Sequence, residues 1–461
     1  MILEGCYPYT RGGVSSWVND YIKSSPDTEY VLWTIHSKHE DAEEMMYELP
    51  ENVVELKKVF IEDAFEDKKS YSRSLKSGRE NYKEVIESLE TFLTGGDYIK
   101  ALEICRNYNL SISDVAHSGE LLDYSRTLSE KKDNLGLAET FYGMRSMLLP
   151  ILYLIEQEIP EADIYHSIVA GYGGVLGSVA KLVKGKPFIV SEHGLYPRER
   201  EEELLINDWL VDDLRDLWIN FFYNLSECAY SFADKVTALF EEANKKQEAL
   251  GCNIKKCEFI QNGIYCDKYT DIEFREDDGW VNIGAFIRFA PIKDVKTLIY
   301  AFKNLKEQMS NVRLYIFGDI DDQEYEQECK GIIEELNIDD IHILGYVDTI
   351  EYMKRIDLTV MTSISEGQPL ALLESLAGGR PCVVTNVGNC KEIVEGKSEN
   401  ERGGICCSPM DINGITKALN TLCLDSNLRR QYGMNGKNRI VKNYNHNKMM
   451  KRYFEVYNEV L

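Results

Sequence analysis

Short unbroken runs of Val, Ile and Leu alternate with longer stretches of helical period along most of the chain. The runs lie at 30–35, 163–166, 187–191, 235–238, 258–261, 281–285, 313–317, 341–344, 358–362 and 381–385. An apolar run without polar alternation predicts a strand buried on both faces, as parallel strands are. The stretches between them supply the helical crossovers that parallel strands require. The pattern therefore predicts an α/β protein built from parallel sheets.

Residues 40–160 break this rhythm. They are acidic, rich in Glu, Lys, Tyr and Leu, and poor in strand signals. They read as a mostly helical insertion whose charges form a solvated face. The apolar run 147–155 is too short to span a bilayer and reads as part of a buried helix. Farther on, the polar stretch 269–280 follows the turn signal Asn262-Gly263 and precedes a fresh strand, which marks it as the expected interdomain linker. At the end of the chain Met449, Tyr453, Val456 and Tyr457 fall at helical spacing. That last helix is expected to return to the first domain. The expected division is a domain over 1–278, joined by 444–461, and a second domain over 279–443.

Length agrees with this division, because 461 residues exceed one ordinary core. The formal net charge of −25 argues against nucleic acid and anionic membrane as partners, since both reward basic surfaces. The start Met1-Ile2-Leu3-Glu4-Gly5 lacks the basic and apolar regions of a signal peptide, so a cytoplasmic protein is expected. The 12 cysteines are irregularly spaced, form no CxxC, and accompany only 7 histidines. Reduced, scattered thiols are expected rather than a structural zinc site.

Four stretches could carry chemistry. The first is Thr10-Arg11-Gly12-Gly13-Val14-Ser15, which leads into a helical pattern. Paired glycines let a backbone approach a ligand, and a helix N-terminus favours an anion. A plain strand-to-helix turn has the same pattern. The second is Ser191-Glu192-His193-Gly194, at the carboxyl end of an expected strand, where open α/β sheets bind ligands. His193 there could donate a hydrogen bond to a sugar hydroxyl or phosphate, or be a hydrogen-bonded loop histidine. Arg198 and Arg200 read as partners for nearby Glu side chains. The third runs from Gly284 through Arg288 to Lys293, two cations that could neutralise a diphosphate leaving group or be ordinary surface side chains. The fourth is Ser365-Glu366-Gly367-Gln368-Pro369-Leu370 with Glu374 beyond it. Pro369 fits a helix start at about 369, and the helix would run to Ala377. The N–H groups of Gly367 to Leu370 would meet phosphate or sugar oxygens at its positive end, and a solvent-exposed helix with a capping acid is the other reading. Asp319, Asp321 and Asp322 are acidic, but read as a loop after the strand 313–317 rather than as a metal site.

The fourth stretch resembles the E-x7-E signature of family-4 retaining glycosyltransferases, whose fold is GT-B. Gly284, Arg288 and Lys293 resemble that family's G-R-x4-K clamp, with a longer Gly–Arg spacing. Asn262-Gly263-Ile264 resembles its N-G-[VI]-D turn, with Tyr265 in place of the acid and Asp267 nearby. Longer stretches are similar to the PelF group of exopolysaccharide glycosyltransferases. They include Leu3 to Trp17, Glu192 to Arg200, Pro291 to Thr297 and Leu358 to Leu370.

The resemblance implies two Rossmann-like domains facing across a cleft, with the helical insertion in the first. It implies a UDP-sugar donor, UDP-glucose in the PelF group, and no cofactor or metal. It implies a polysaccharide or other carbohydrate acceptor and a membrane-bound synthase complex as partner, so that any peripheral placement at the membrane would come through partners. It places the base near Gly345-Tyr346-Val347 and the ribose on Glu374. The diphosphate falls to Arg288 and Lys293, and a donor hydroxyl to Glu366. Gly12, Gly13 and His193 come from the first domain. His193, Arg288, Lys293 and Glu366 are the implied catalytic set, and Gly367, Gln368, Pro369 and Leu370 complete the donor site. A non-catalytic nucleotide-sugar-binding subunit and a GT-B epimerase are the alternatives.

Overall fold

The computed structural model describes residues 1–66, 79–108, 110–131, 134–206 and 211–461. The chain divides into two units, one of Met1–Ile260 with Tyr453–Leu461, the other of Gln261–Arg452. The first division falls before the polar stretch 269–280, which was expected to be the linker. That stretch belongs to the second unit: Tyr269 and Ile272 are buried in its core, and Arg275 pairs with Asp357 at 3.0 Å.

The first unit is built on seven strands: β1 (Ile2–Glu4), β2 (Tyr30–His36), β3 (Val53–Phe60), β4 (Tyr165–Ser167), β5 (Phe188–Ser191), β6 (Lys235–Ala238) and β7 (Cys257–Phe259). Their order is β3-β2-β1-β4-β5-β6-β7, with every pair parallel. The order reverses between β1 and β4. At such a reversal the loops leave in opposite directions and open a crevice at the carboxyl ends. The helix Gly13–Lys23 follows β1 and the helix Tyr172–Lys184 follows β4.

β3 corrects the reading of 40–160 as poor in strands. It is an edge strand with a largely unburied pattern, so Glu55, Lys57 and Lys58 are tolerated in it and mask its apolar signal. From Arg79 onward the insertion is helical, with helices Arg79–Thr94, Tyr98–Tyr108, Ile112–Ala116, Gly119–Ser129 and Leu137–Ile155. The last of these buries Met147, Leu148, Ile151 and Leu154, as an apolar run of that length predicts.

The second unit carries β8 (Val281–Phe286), β9 (Val312–Phe317), β10 (Ile341–Gly345), β11 (Leu358–Met361), β12 (Cys382–Thr385) and β13 (Gly404–Cys407). Their order is β10-β9-β8-β11-β12-β13, again with parallel pairs. The reversal lies between β8 and β11. Ile283, Leu298, Phe302, Leu314, Ile316 and Val383 are among the residues that fill the core around this sheet.

The C-terminal helix His446–Val460 begins in the second unit and ends in the first. Within the first unit Tyr457 meets His166 Nδ1 at 2.7 Å, Tyr453 lies edge-on to Trp17, and Glu459 bonds Lys235 at 2.6 Å. Among the described residues no helix is long and apolar enough to cross a membrane.

Candidate active site

In the second unit the reversal of strand order fixes where chemistry can gather. The loop after β8 carries Arg288 and Lys293, and the loop after β11 carries Ser363 and Glu366. Neighbouring parallel strands deliver these two loops to the same sheet edge. The loops are stitched together. Ile364 N–H donates to Ile292 C=O at 2.8 Å, and Thr362 Oγ1 donates to the carbonyls of Lys293 and Asp294. Lys293 Nζ then reaches Glu366 Oε1 at 2.6 Å, and Ser363 Oγ donates to the same oxygen at 2.6 Å. Both bonds fall on Oε1. The Lys293 and Glu366 side chains are only 16% and 11% exposed, so the pair is largely shielded from solvent screening.

Lys293 ends a short turn whose next residue, Asp294, takes φ 48° and caps the helix Val295–Gln308 through the Thr297 N–H. Arg288 points elsewhere. Its Nη1 pairs with Asp321 Oδ2 at 2.5 Å in the loop after β9. The acidic stretch 319–322 is a loop after β9, as its position implied, and Asp322 caps the helix Gln323–Glu335.

The helix after Glu366 runs Leu370–Ala377, with Pro369 as the residue before it rather than inside its first turn. No side chain caps this helix, so its first N–H groups are presented from the Gly367-to-Leu370 loop. Gln368 is buried and fixes that loop. Its Oε1 accepts from Asn262 N–H at 2.5 Å, and its carbonyl accepts from Asn262 Nδ2 at 3.1 Å. Glu374 sits half-buried within the helix. Tyr346 follows β10 and is exposed. Arg288, Lys293, Tyr346, Glu366 to Leu370 and Glu374 thus all belong to one unit, at or near the carboxyl edge of its sheet.

The remaining expected residues lie in the first unit. Gly12 precedes the helix Gly13–Lys23, which also lacks a side-chain cap. A Cβ added at Gly12 or Gly13 would meet nothing within 4 Å, so no protein packing requires these glycines. His193 follows β5 and lies edge-on to Trp17 of that helix, with ring centroids 4.4 Å apart. Its Nε2 is buried and bonds no described residue. Burial pushes the imidazole down to about 4, so it is neutral at pH 7. Glu192 beside it accepts from Tyr230 Oη at 2.6 Å and Gln247 Nε2 at 2.8 Å, and burial raises its carboxyl to about 7. Arg198 and Arg200 pair with Glu202 and Glu203.

Residues 1–255, more than half of the 461, match the family described as Domain of unknown function (DUF3492). The chain belongs to the DUF3492 family. Residues 282–439 match Glycosyl transferases group 1, so the second unit of this DUF3492 protein is a group 1 glycosyltransferase domain. An N-acetyl-alpha-D-glucosaminyl L-malate synthase of Bacillus anthracis is 26% identical over 177 residues, 38% of this chain and 44% of that relative. The match thus spans less than half of that enzyme's length. The capsular polysaccharide biosynthesis glycosyltransferase CapM of Staphylococcus aureus is 22% identical over 388 residues, 78% of this chain and 93% of CapM. In three dimensions the chain is similar to Anabaena Alr3699/HepE in complex with UDP-glucose, with a TM-score of 0.61 at 14% identity over 99% of each chain. That likeness shows the fold, a GT-B pair of Rossmann-like sheets.

Three residues of the DUF3492 protein's site carry more than their sequence signals suggest. Asp321 is the partner of Arg288, though it reads as one acid among several. Ser363 shares Glu366 Oε1 with Lys293, yet a single serine after a strand has no distinguishing pattern. Asn262 belongs to a visible Asn-Gly turn, but its bond to Gln368 spans 106 positions and no local spacing encodes it. At the next position in the turn's pattern, Tyr265 stacks on His446 with centroids 4.1 Å apart, and Asp267 begins the short helix Asp267–Thr270.

Proposed function

We propose that this chain is a retaining glycosyltransferase that moves glucose from UDP-glucose to a growing exopolysaccharide or related carbohydrate. The observation that carries the reading is the shielded Lys293–Glu366–Ser363 cluster at the strand-order reversal, next to an uncapped helix N-terminus. With Oε1 committed to Lys293 and Ser363, Glu366 offers Oε2 to a donor-sugar hydroxyl. Lys293 and Arg288 take the diphosphate, and the N–H groups at the start of Leu370–Ala377 add positive potential. Glu374 takes the ribose and Tyr346 lies against the base. In the first unit the open glycines Gly12 and Gly13 and the unpartnered Nε2 of neutral His193 are the groups offered to substrate.

The reaction is a front-face displacement. The bond between the sugar C1 and the diphosphate oxygen breaks while the acceptor oxygen attacks the same face. The departing diphosphate takes the acceptor's proton. Charge grows on the diphosphate as the bond breaks, and the two cations stabilise it more in the transition state than in the ground state. These cations do the work that a divalent metal does at other sugar-nucleotide sites. The PelF-like stretches support the exopolysaccharide role and a membrane-bound synthase complex as partner. The complex of HepE with UDP-glucose and the capsular role in CapM's name are in keeping with the donor and the acceptor class.

Release of UDP from UDP-glucose by the purified chain, followed with and without EDTA, tests the reading. The expected result is slow turnover, by hydrolysis without acceptor, that EDTA leaves nearly unchanged. Turnover lost on chelation and restored by Mg²⁺ or Mn²⁺ would contradict the metal-free clamp. No turnover of any nucleotide sugar, with binding retained, would favour a non-catalytic subunit.

A further inference from the structure

The two cations assigned to the diphosphate are held differently. Lys293 is fixed on Glu366, a residue that also serves the donor. Arg288 is held by Asp321, to which no contact with the donor has been assigned. This ion pair is not a chance meeting of long side chains, because the two backbones are laced together. Phe289 N–H donates to Asp319 C=O at 3.0 Å. Asp321 N–H and Asp322 N–H donate back to Phe289 C=O at 3.2 and 3.0 Å. Phe289 itself is buried, and it forms a parallel bridge with Ile320. Just upstream, Gly318 leaves room for the close pass: a Cβ there would lie 2.1 Å from Ile287 O. The lacing sets Asp321 opposite Arg288, at 2.5 Å between Nη1 and Oδ2. The side chains remain 45% and 35% exposed, so a ligand can reach them.

We propose that Asp321 occupies Arg288 while the donor site is empty and gives it up to the donor's diphosphate. Asp321 thereby lowers the affinity for UDP, the product left behind, and speeds its release. The inference rests on the reading of Arg288 as a diphosphate ligand. A carboxylate is a fair competitor, because it accepts from the guanidinium in the same paired geometry as a phosphate. It is also a weak one at this exposure, since solvent-accessible ion pairs contribute little. The result is a contact that a diphosphate displaces readily and that re-forms when UDP leaves.

The test is the affinity for UDP, measured by calorimetry on the full chain for wild type, Asp321→Asn, Arg288→Ala and the double variant. Melting temperatures check that each is folded, and Asp321→Ala serves as a second replacement. The expected result is that Asp321→Asn binds UDP about two- to fivefold more tightly than wild type. The gain disappears when Arg288 is already Ala, because nothing remains to be released. An equal gain in both backgrounds would reduce Asp321 to a general negative charge near the site and overturn the proposal. So would an unchanged or weaker UDP affinity in Asp321→Asn. If Arg288→Ala alone binds UDP and turns over donor like wild type, the diphosphate role of Arg288 fails, and the inference falls with it. If Arg288→Ala is impaired while Asp321→Asn is neutral, only the inference falls.

Discussion

Glu366 is held at one oxygen and Arg288 at the edge of its loop, and the difference predicts how each fails. Glu366 Oε1 is bound by Lys293 and Ser363, so a Gln at this position keeps the loop near its place but loses charge toward the sugar. Glu366→Gln should weaken UDP-glucose about ten- to a hundredfold, as loss of a charged hydrogen bond does, while UDP binding changes far less. Arg288→Ala should lower turnover about a hundredfold or more, with a smaller loss of donor affinity, because the charge it meets grows as the bond breaks. Calorimetry with UDP and UDP-glucose, together with UDP release, separates the two. Equal weakening of UDP and UDP-glucose in Glu366→Gln would place that carboxylate away from the sugar. The sequence made these residues visible because a cation or an acid just after an apolar run is unusual. It hid their partners. Asp321 and Ser363 are common residue types in loops, and only the folded sheet edge shows which acid or hydroxyl meets which site residue.

At the scale of elements, the donor loop is packed as tightly as the glycine turn of the first unit is open. Gly388, in the turn after β12, takes φ 52°, and a Cβ there would sit 2.2 Å from the carbonyl oxygens of Glu366 and Gly367. The Asn389 N–H also donates to Gly367 C=O at 2.9 Å. Gly388→Ala should therefore push the Glu366–Gly367 backbone out of place. It should cost at least the ~1–2 kcal/mol of a left-handed non-glycine residue and lower donor affinity with it. Gly12→Ala should do the reverse, because nothing lies within 4 Å of its Cβ and its φ of 161° is extended backbone. Its melting temperature should stay near wild type while turnover falls, if substrate comes close to that backbone. Thermal melts and turnover of both variants decide this, and a destabilised Gly12→Ala with normal turnover would make the turn purely structural. Most elements were legible in advance, since strands buried on both faces have no polar residues to break their runs. β3 was not, because its edge position tolerates Glu55, Lys57 and Lys58, which interrupt its apolar run. Nor were two short strands: β1 has three residues, and β13, Gly404–Cys407, is only half-buried.

At the scale of the molecule, the chain is two parallel sheets of the same winding, and in the second the order reverses at β8 and β11, the pair of strands that deliver the loops of Arg288, Lys293 and Glu366. The alternation of apolar runs and helical stretches predicts the parallel sheets, and the strand order comes from the structure alone. The division between the units did not follow. A run such as Asp277-Asp278-Gly279 looks like a solvated linker, yet Arg275 binds both Asp278 and Asp357 and ties the stretch to the second unit. Charged residues that satisfy one another in a fold have the same composition as charged residues that face water. The match of residues 282–439 to group 1 glycosyltransferases fixes the class of the second unit, and the donor's identity is what the proposal adds to it. Titration of the whole chain with UDP, ADP, GDP and TDP in EDTA, followed by UDP-glucose against other UDP-sugars, tests that addition most directly. The account predicts that UDP binds most tightly among the nucleotides and UDP-glucose among the sugar nucleotides, both without metal. Preference for ADP or GDP, or binding that appears only when Mg²⁺ is returned, would contradict it.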